Sequence, residues 1–257
     1  MRTFPLVLEI MALSFLLLLL LSTYEGEGSL IVGGRDAAPH SRPYMASLQI
    51  VGRHICGGAL IREDFVVTAA HCRIPVPYTV VLGVDSLTSN ESTKQEFRAM
   101  MSIPHPDFDG HRNDIMLLKL DRRAQLGEAV QLIPLKTTRL RVSQCITAGW
   151  GEADNKTQPN TLQEVNVTTL LQRTCRRRWR QGRVPISRSM VCGVGGRALQ
   201  GFCSGDSGGP LVCDGGVAGV VSFSGRQCGD PSTPDVYTRI SSFRRWITRE
   251  INNTSTI

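Results

Sequence analysis

The sequence predicts an all-β protein closed by a C-terminal helix. Three observations predict it. Short runs rich in Val, Ile, Leu and Thr recur from residue 31 onward, separated by Gly, Pro, Asn and Asp. The far end switches to apolar residues at helical intervals. Eight cysteines, an even number, follow an apolar leader, so an oxidising compartment and a stapled domain are expected.

The leader comes first. Arg2 gives it a positive start, Ile10 to Leu21 is almost wholly apolar, and small and polar residues follow from Ser22 to Ser29. This reads as a secretory signal peptide over 1–28. The alternative, a membrane anchor, fits poorly, because Ile10–Leu21 falls short of the roughly 20 residues a span needs. Strands are then expected at Tyr44–Ile50, Phe65–Ala70, Thr79–Leu82, Ile115–Leu120 and Cys145–Trp150. Further strands are expected at Gln163–Leu170, Pro210–Cys213, Gly216–Ser222 and Asp235–Arg239. Their spacing suits a sandwich or barrels. A short helical piece is expected at Leu171–Arg180. The terminal helix is expected at about 241–252, carrying Phe243, Trp246, Ile247 and Ile251, with Ser241 or Ser242 as its cap.

Composition excludes several classes. At 41% hydrophobic the chain is too apolar for a disordered protein, and its 25 glycines have no three-residue period. A single apolar run excludes a multi-pass membrane protein. The net charge is +7; loss of residues 1–30 removes one Arg and three Glu and raises it to +9. Such a basic secreted chain suits polyanionic partners. No C-x-x-C or H-E-x-x-H appears, so no metal or other cofactor is expected. No nucleic-acid motif accompanies the charge.

Three segments carry chemistry: Thr68-Ala69-Ala70-His71-Cys72, Asn113-Asp114-Ile115-Met116-Leu117-Leu118, and Gly205-Asp206-Ser207-Gly208-Gly209-Pro210. Each alone is weak. Together, in the order His, Asp, Ser, they resemble the chymotrypsin-like serine peptidases, from Ile31 to about Asn252. The resemblance implies two six-stranded antiparallel β-barrels, about 31–135 and 136–240, with the active site between them and the chain ends crossing to brace the opposite barrel. It implies a triad of His71, Asp114 and Ser207, with the oxyanion held by the N–H groups of Gly205 and Ser207. A serine hydroxyl is a poor nucleophile at neutral pH, and a neutral imidazole that takes its proton corrects this.

Ile31-Val32-Gly33-Gly34 resembles the family's activation sequence, in which the freed Ile31 ammonium pairs with Asp206. Leu30 precedes the cut, so tryptic activation is not expected. Signal cleavage after Gly28 leaves a Ser29-Leu30 dipeptide, as in granule proteases of leukocytes and mast cells, so a dipeptidyl peptidase is expected to activate the chain. By spacing alone the cysteines allow 105 pairings. The family implies Cys56–Cys72, Cys145–Cys213, Cys175–Cys192 and Cys203–Cys228.

The resemblance places the first substrate pocket among Gly201, Phe202 and Ser204, Ser222, Phe223 and Ser224, and Asp235. Trypsin-like members carry an Asp where this chain has Gly201. These residues by themselves favour a shallow pocket for small aliphatic side chains, with Asp235 buried under Phe202. In the other reading an arginine lies across the rim on Ser204 and Ser224. The combination with Cys228-Gly229-Asp230-Pro231 resembles one branch of the granule proteases and implies arginine before the cut. A catalytically silent, glycan-binding homologue is the rival from another class. Protein substrates, a serpin-type inhibitor and a monomeric state are expected. Heparin-like glycans are expected on the basic run Arg173, Arg176, Arg177, Arg178, Arg180 and Arg183. Glycosylation sequons lie at Asn90, Asn155, Asn166, Asn252 and Asn253, of which adjacent Asn252 and Asn253 are not both usable; Asn253 is the one expected. Calcium in the loop near Val84 is not expected, because an apolar residue holds its first position.

Overall fold

The computed structural model of the chain describes residues 31–152, 157–180, 184–196 and 199–254. The expected signal peptide and Ser29-Leu30 lie outside the described residues, as do Asn155 and Arg183.

A two-residue strand β1 (Arg35–Asp36) pairs with residues 163–164, far along the chain. Six strands then close the first barrel: β2 (Met45–Ile50), β3 (Arg53–Arg62), β4 (Phe65–Thr68), β5 (Thr79–Leu82), β6 (Gln95–Pro104) and β7 (Met116–Leu120). Their order is β2-β3-β4-β7-β6-β5, with β5 returning onto β2. Val51 and Gly52 both have positive φ, 48° and 74°, which makes the two-residue turn that matches the twist of β2 and β3. Leu48, Leu60, Phe65, Leu82, Leu117 and Leu118 fill the interior, and each contributes about 1.5–3 kcal/mol by leaving water.

The second barrel uses β8 (Gln144–Gly149), β9 (Gln163–Thr169), β10 (Met190–Gly195), β11 (Pro210–Cys213), β12 (Gly216–Phe223) and β13 (Asp235–Arg239). The order is β9-β10-β13-β12-β11-β8, and the β8–β9 pairing closes it. Asp214-Gly215 turns β11 into β12 with φ of 46° and 72°. A short helix α1 (Gln172–Arg178) precedes β10. The last helix, α2 (Arg244–Thr254), lays Trp246 and Ile247 on the first barrel's core, while β1 and Ile31 sit on the second. Each end of the described chain therefore braces the barrel it does not build.

The expected strands are all present to within one or two residues. Four were not anticipated: β1, β3, β6 and β10. β3 is interrupted by Cys56-Gly57-Gly58, and β6 is polar and mostly solvent-facing, so neither shows a clean alternation. Ser241 and Ser242 are not the cap of α2. They lie in a 3₁₀ turn over Ile240–Ser242, and the helix begins later, with Ile247 N donating to Phe243 O at 2.9 Å.

The bridges are Cys56–Cys72, Cys145–Cys213, Cys175–Cys192 and Cys203–Cys228, and no cysteine is free. Cys56–Cys72 and Cys175–Cys192 join residues 16 and 17 apart, and closing a loop of about that length is worth about 3 kcal/mol against the unfolded chain. Among the described residues no helix is long and apolar enough to cross a membrane.

Candidate active site

The seam between the barrels brings together residues from four segments. His71 sits in a single 3₁₀ turn, Ala70–Cys72, directly after β4. Asp114 lies just before β7 and is buried at 2% exposure. Asp114 holds the histidine twice: its Oδ1 accepts from His71 N at 2.9 Å, and its Oδ2 lies 2.7 Å from His71 Nδ1. A carboxylate on Nδ1 fixes the tautomer with the proton there and leaves Nε2 as the base. Ser222, at the end of β12, donates its hydroxyl to the same Oδ2 at 2.6 Å. Sequence reasoning gave Ser222 a place in the pocket and missed this bond.

Ser207 reaches the same place from the second barrel. Its carbonyl accepts from Gly57 N of β3 at 2.8 Å, and Gly208 N donates to Val221 O, next to Ser222. Gly208 has φ +80°, and a Cβ there would stand 2.1 Å from Thr68 Oγ1, so the turn needs glycine. The neighbouring amides are committed: Asp206 N to Cys203 O, Gly208 N to Val221 O and Gly209 N to Asp206 O. Among the described residues the N–H groups of Gly205 and Ser207 have no such acceptor. Gly205 reaches this geometry at φ +95°.

Behind this turn stands a group that sequence reasoning did not single out. His54 of β3 is 5% exposed, and burial pushes its imidazole down to about 4. It is therefore neutral, with Nε2 donating to the Gly205 carbonyl at 3.0 Å and Nδ1 accepting from Ser47 Oγ at 2.8 Å. One imidazole of the first barrel thus fixes the Gly205–Asp206 peptide, which lies between the two expected oxyanion donors. The sequence offered no clear signal for His54, which follows Arg53 at the start of a strand that was not anticipated.

Asp206 is 1% exposed. Its Oδ1 accepts from Gly151 N at 2.8 Å and its Oδ2 from Cys203 N at 2.9 Å. Burial pushes it up to about 6, against the pull of those two N–H groups. A Cβ on Gly149 or Gly151 would fall within 2.4 Å of this carboxyl, which explains both glycines. Ile31 is fully buried in the second barrel's core.

The expected substrate pocket is closed at its floor. Phe202 is 3% exposed and stands edge-on to Tyr237, with centroids 5.2 Å apart. Asp235 lies beneath it, 2% exposed, with Oδ2 accepting from Phe202 N at 3.1 Å and Oδ1 unpaired. Burial pushes its carboxyl up to about 8, more than the N–H groups of Phe202 and Gly229 pull it back. A Cβ on Gly201 would lie 2.0 Å from Asp235 Oδ2, so a pocket-floor aspartate is sterically barred while Asp235 keeps this place. Ser204 is exposed and Ser224 half-buried. Phe223 is packed between Trp179 and His111, at 5.4 and 6.0 Å.

Of the basic run, Arg173, Arg176, Arg177, Arg178 and Arg180 are exposed on or just after α1. Asn90, Asn166, Asn252 and Asn253 are exposed; Asn166 lies within β9.

Comparison with known proteins follows the same lines. The family described as Trypsin matches residues 31–247. Serine protease 57 of Mus musculus is 46% identical over 231 residues, 86% of this chain and 80% of that protein. Mast cell protease 3 of Ovis aries is 44% identical, over 91% of this chain and 94% of its own. The structure of neuropsin, a serine protease of mouse brain, superposes with a TM-score of 0.80 at 38% identity, covering 86% of this chain and all of that one.

Proposed function

The chain belongs to the trypsin family and is a serine endopeptidase, and from that premise we propose that His71, Asp114 and Ser207 carry its chemistry. The observation that supports this best is the double hold of buried Asp114 on His71, with Ser222 as third partner. Ser207 Oγ attacks the peptide carbonyl while His71 Nε2 takes its proton. Asp114 stabilises the imidazolium that results. The tetrahedral oxyanion takes the N–H groups of Gly205 and Ser207, and His71 then protonates the leaving amine. Stoichiometric labelling of Ser207 by a serine-directed phosphonate tests this; no labelling of correctly folded, activated protein favours a silent glycan-binding homologue.

Residues 1–28 act as a signal peptide and Ser29-Leu30 as an activation dipeptide, in a protein that is secreted or stored in granules. Removal of the dipeptide frees the Ile31 ammonium to pair with Asp206, a carboxyl whose pKa burial raises and which a nearby cation would hold ionised. N-terminal sequencing of the active protein is expected to read Ile31-Val32-Gly33-Gly34.

The residue before the cut is arginine, lying across the rim with its donors on Ser204, Ser224 and nearby carbonyls. The resemblance of Gly201-Phe202, Ser224 and Asp235 to one branch of the granule proteases supports this reading, and the overall identity to Serine protease 57 accords with it. The closed floor under Phe202 favours a second reading, cleavage after Val or Ala. Peptides differing only at that residue (Arg, Lys, Val, Ala, Phe) decide between them. Substrates are proteins, a serpin-type inhibitor is the expected regulator, and the exposed arginines of α1 bind sulfated glycans. Heparin affinity unchanged in Arg176–Arg178→Ala removes that last proposal.

A further inference from the structure

Glu164 lies on β9 of the second barrel and is 4% exposed. A buried carboxylate is costly unless cations meet it, and two arginines of the N-terminal segment do so. Glu164 Oε1 accepts from Arg35 NH2 at 2.6 Å. Its Oε2 accepts from Arg42 Nε at 2.9 Å, with Arg42 NH2 2.7 Å away. Arg35 is also the register partner of Glu164 across β1 and β9, whereas Arg42 lies between β1 and the first barrel's β2. One carboxylate thus holds the chain on both sides of the turn in which Ser41 N donates to Ala38 O.

The segment it holds begins with Ile31. Gly34 lies against the Glu164 backbone, where a Cβ would stand 2.9 Å from the carbonyl oxygen, and Ala37 N donates to Leu162 O at 2.9 Å. At its other end the same segment meets the expected substrate pocket. Gly201 N donates to Val32 O at 3.0 Å, and Gln200 Nε2 to Gly33 O at 2.7 Å. Strand pairing by itself holds the segment weakly, because β1 is only two residues long. Bonds between guanidinium and carboxylate are roughly twice as strong as neutral ones, so the side chains of Arg35, Arg42 and Glu164 supply much of the hold.

We propose that Glu164 is a positioning residue for catalysis. Through Arg35 and Arg42 it docks residues 31–37 on the second barrel, and so keeps the Ile31 ammonium on Asp206 and Gly201 in its place. The catalytic consequence rests on the activation reading given above. The cut chain has two states, one with Ile31 buried and one with it in solvent, and the Glu164 contacts belong to the first alone. Their loss shifts the balance toward the second, in which Asp206 has no cation and Gln200 and Gly201 lose their partners on residues 32–33. The active fraction then falls while the barrels stand.

The test uses the mature protein, residues 31–257, with Glu164→Gln, Arg42→Gln and Arg42→Lys as variants. Four quantities are read: the rate at which cyanate carbamylates the Ile31 amino group, the fraction of active sites titrated, kcat per titrated site, and the melting midpoint. Carbamylation tracks the population with Ile31 in solvent and is expected to be about tenfold faster in Glu164→Gln and Arg42→Gln. The titrated fraction is expected to fall several-fold with kcat per site unchanged, and free Ile-Val dipeptide, which offers Asp206 the same ammonium, to restore it. Arg42→Lys, which keeps the cation, is expected to recover most of the loss seen in Arg42→Gln. Unchanged carbamylation and titrated fraction in both Gln variants overturn the proposal, and a lowered melting midpoint alongside them makes the ion pairs purely structural. Full activity in protein that keeps Ser29-Leu30 overturns the activation reading and with it the catalytic role of Glu164, whatever the carbamylation rates.

Discussion

Replacing Asp235 with Asn separates the two readings of the substrate pocket. Asp235 is buried under Phe202 with its carboxyl pushed up to about 8, against 3.8 when unburied. At pH 7 only about one-tenth of it is ionised. Asn is then nearly isosteric with the species present, and its carbonyl can accept from Phe202 N in the same way. A group whose folded pKa is raised gives stability that is complete below the unfolded value and is lost as pH rises toward the folded one. Between pH 5 and pH 8 the wild type should lose about 4 kcal/mol through Asp235, and the Asn variant should lose none of it. Asp206 contributes its own, smaller slope to both proteins, so the difference between them isolates Asp235. The measurement is urea denaturation at pH 5, 6, 7 and 8 in an Ser207→Ala background, which prevents self-digestion. A parallel pair with Ser207 intact gives kcat/KM on Arg and Val peptides. The variant should keep both activities within a few-fold at pH 7. Equal pH slopes in the two proteins would refute the buried, neutral carboxyl. So would a loss of more than tenfold confined to the Arg peptide, because it would mean that Asp235 meets the substrate as an anion.

The other predictions concern the turn and the triad. Asp114→Asn should lower kcat by about 10⁴ with the fold intact, as judged by unchanged melting and active-site labelling that is slow but stoichiometric. His54→Ala leaves the Gly205 carbonyl unpaired and should cost about 1–3 kcal/mol in kcat/KM, read with KM little changed; a purely structural role would lower stability and spare kcat. Because burial holds His54 near 4, wild-type stability should fall as pH drops from about 6.5 to 4, and His54→Ala should lack that fall in urea titrations. Gly201→Asp should fail to create a tryptic pocket, since its Cβ meets Asp235 Oδ2; we expect about 1–3 kcal/mol of destabilisation by denaturation and no gain on Lys peptides.

How much of this was legible in the sequence depends on what each residue needs as a neighbour. His71, Asp114 and Ser207 stand in segments whose residue types are rare together, and their order along the chain carries the family resemblance that implies the triad. Strands such as β2 and β12 repeat apolar residues and declare themselves. β6 does not, because most of its side chains face solvent and its core contribution rests on Phe97. The cap of α2 was misplaced because Ser241 and Ser242 satisfy a local rule that a preceding 3₁₀ turn overrides.

The features hidden from the sequence are those made by apposition of the barrels. Ser222 bonds Asp114 across 108 residues and His54 bonds Gly205 across 151. Neither pair has a local pattern, because each partner satisfies its own strand first and meets the other only when the seam closes. Polar groups buried at such junctions are costly unless paired, so they mark where the fold has been shaped for something other than stability. Here they converge on the turn that carries Ser207.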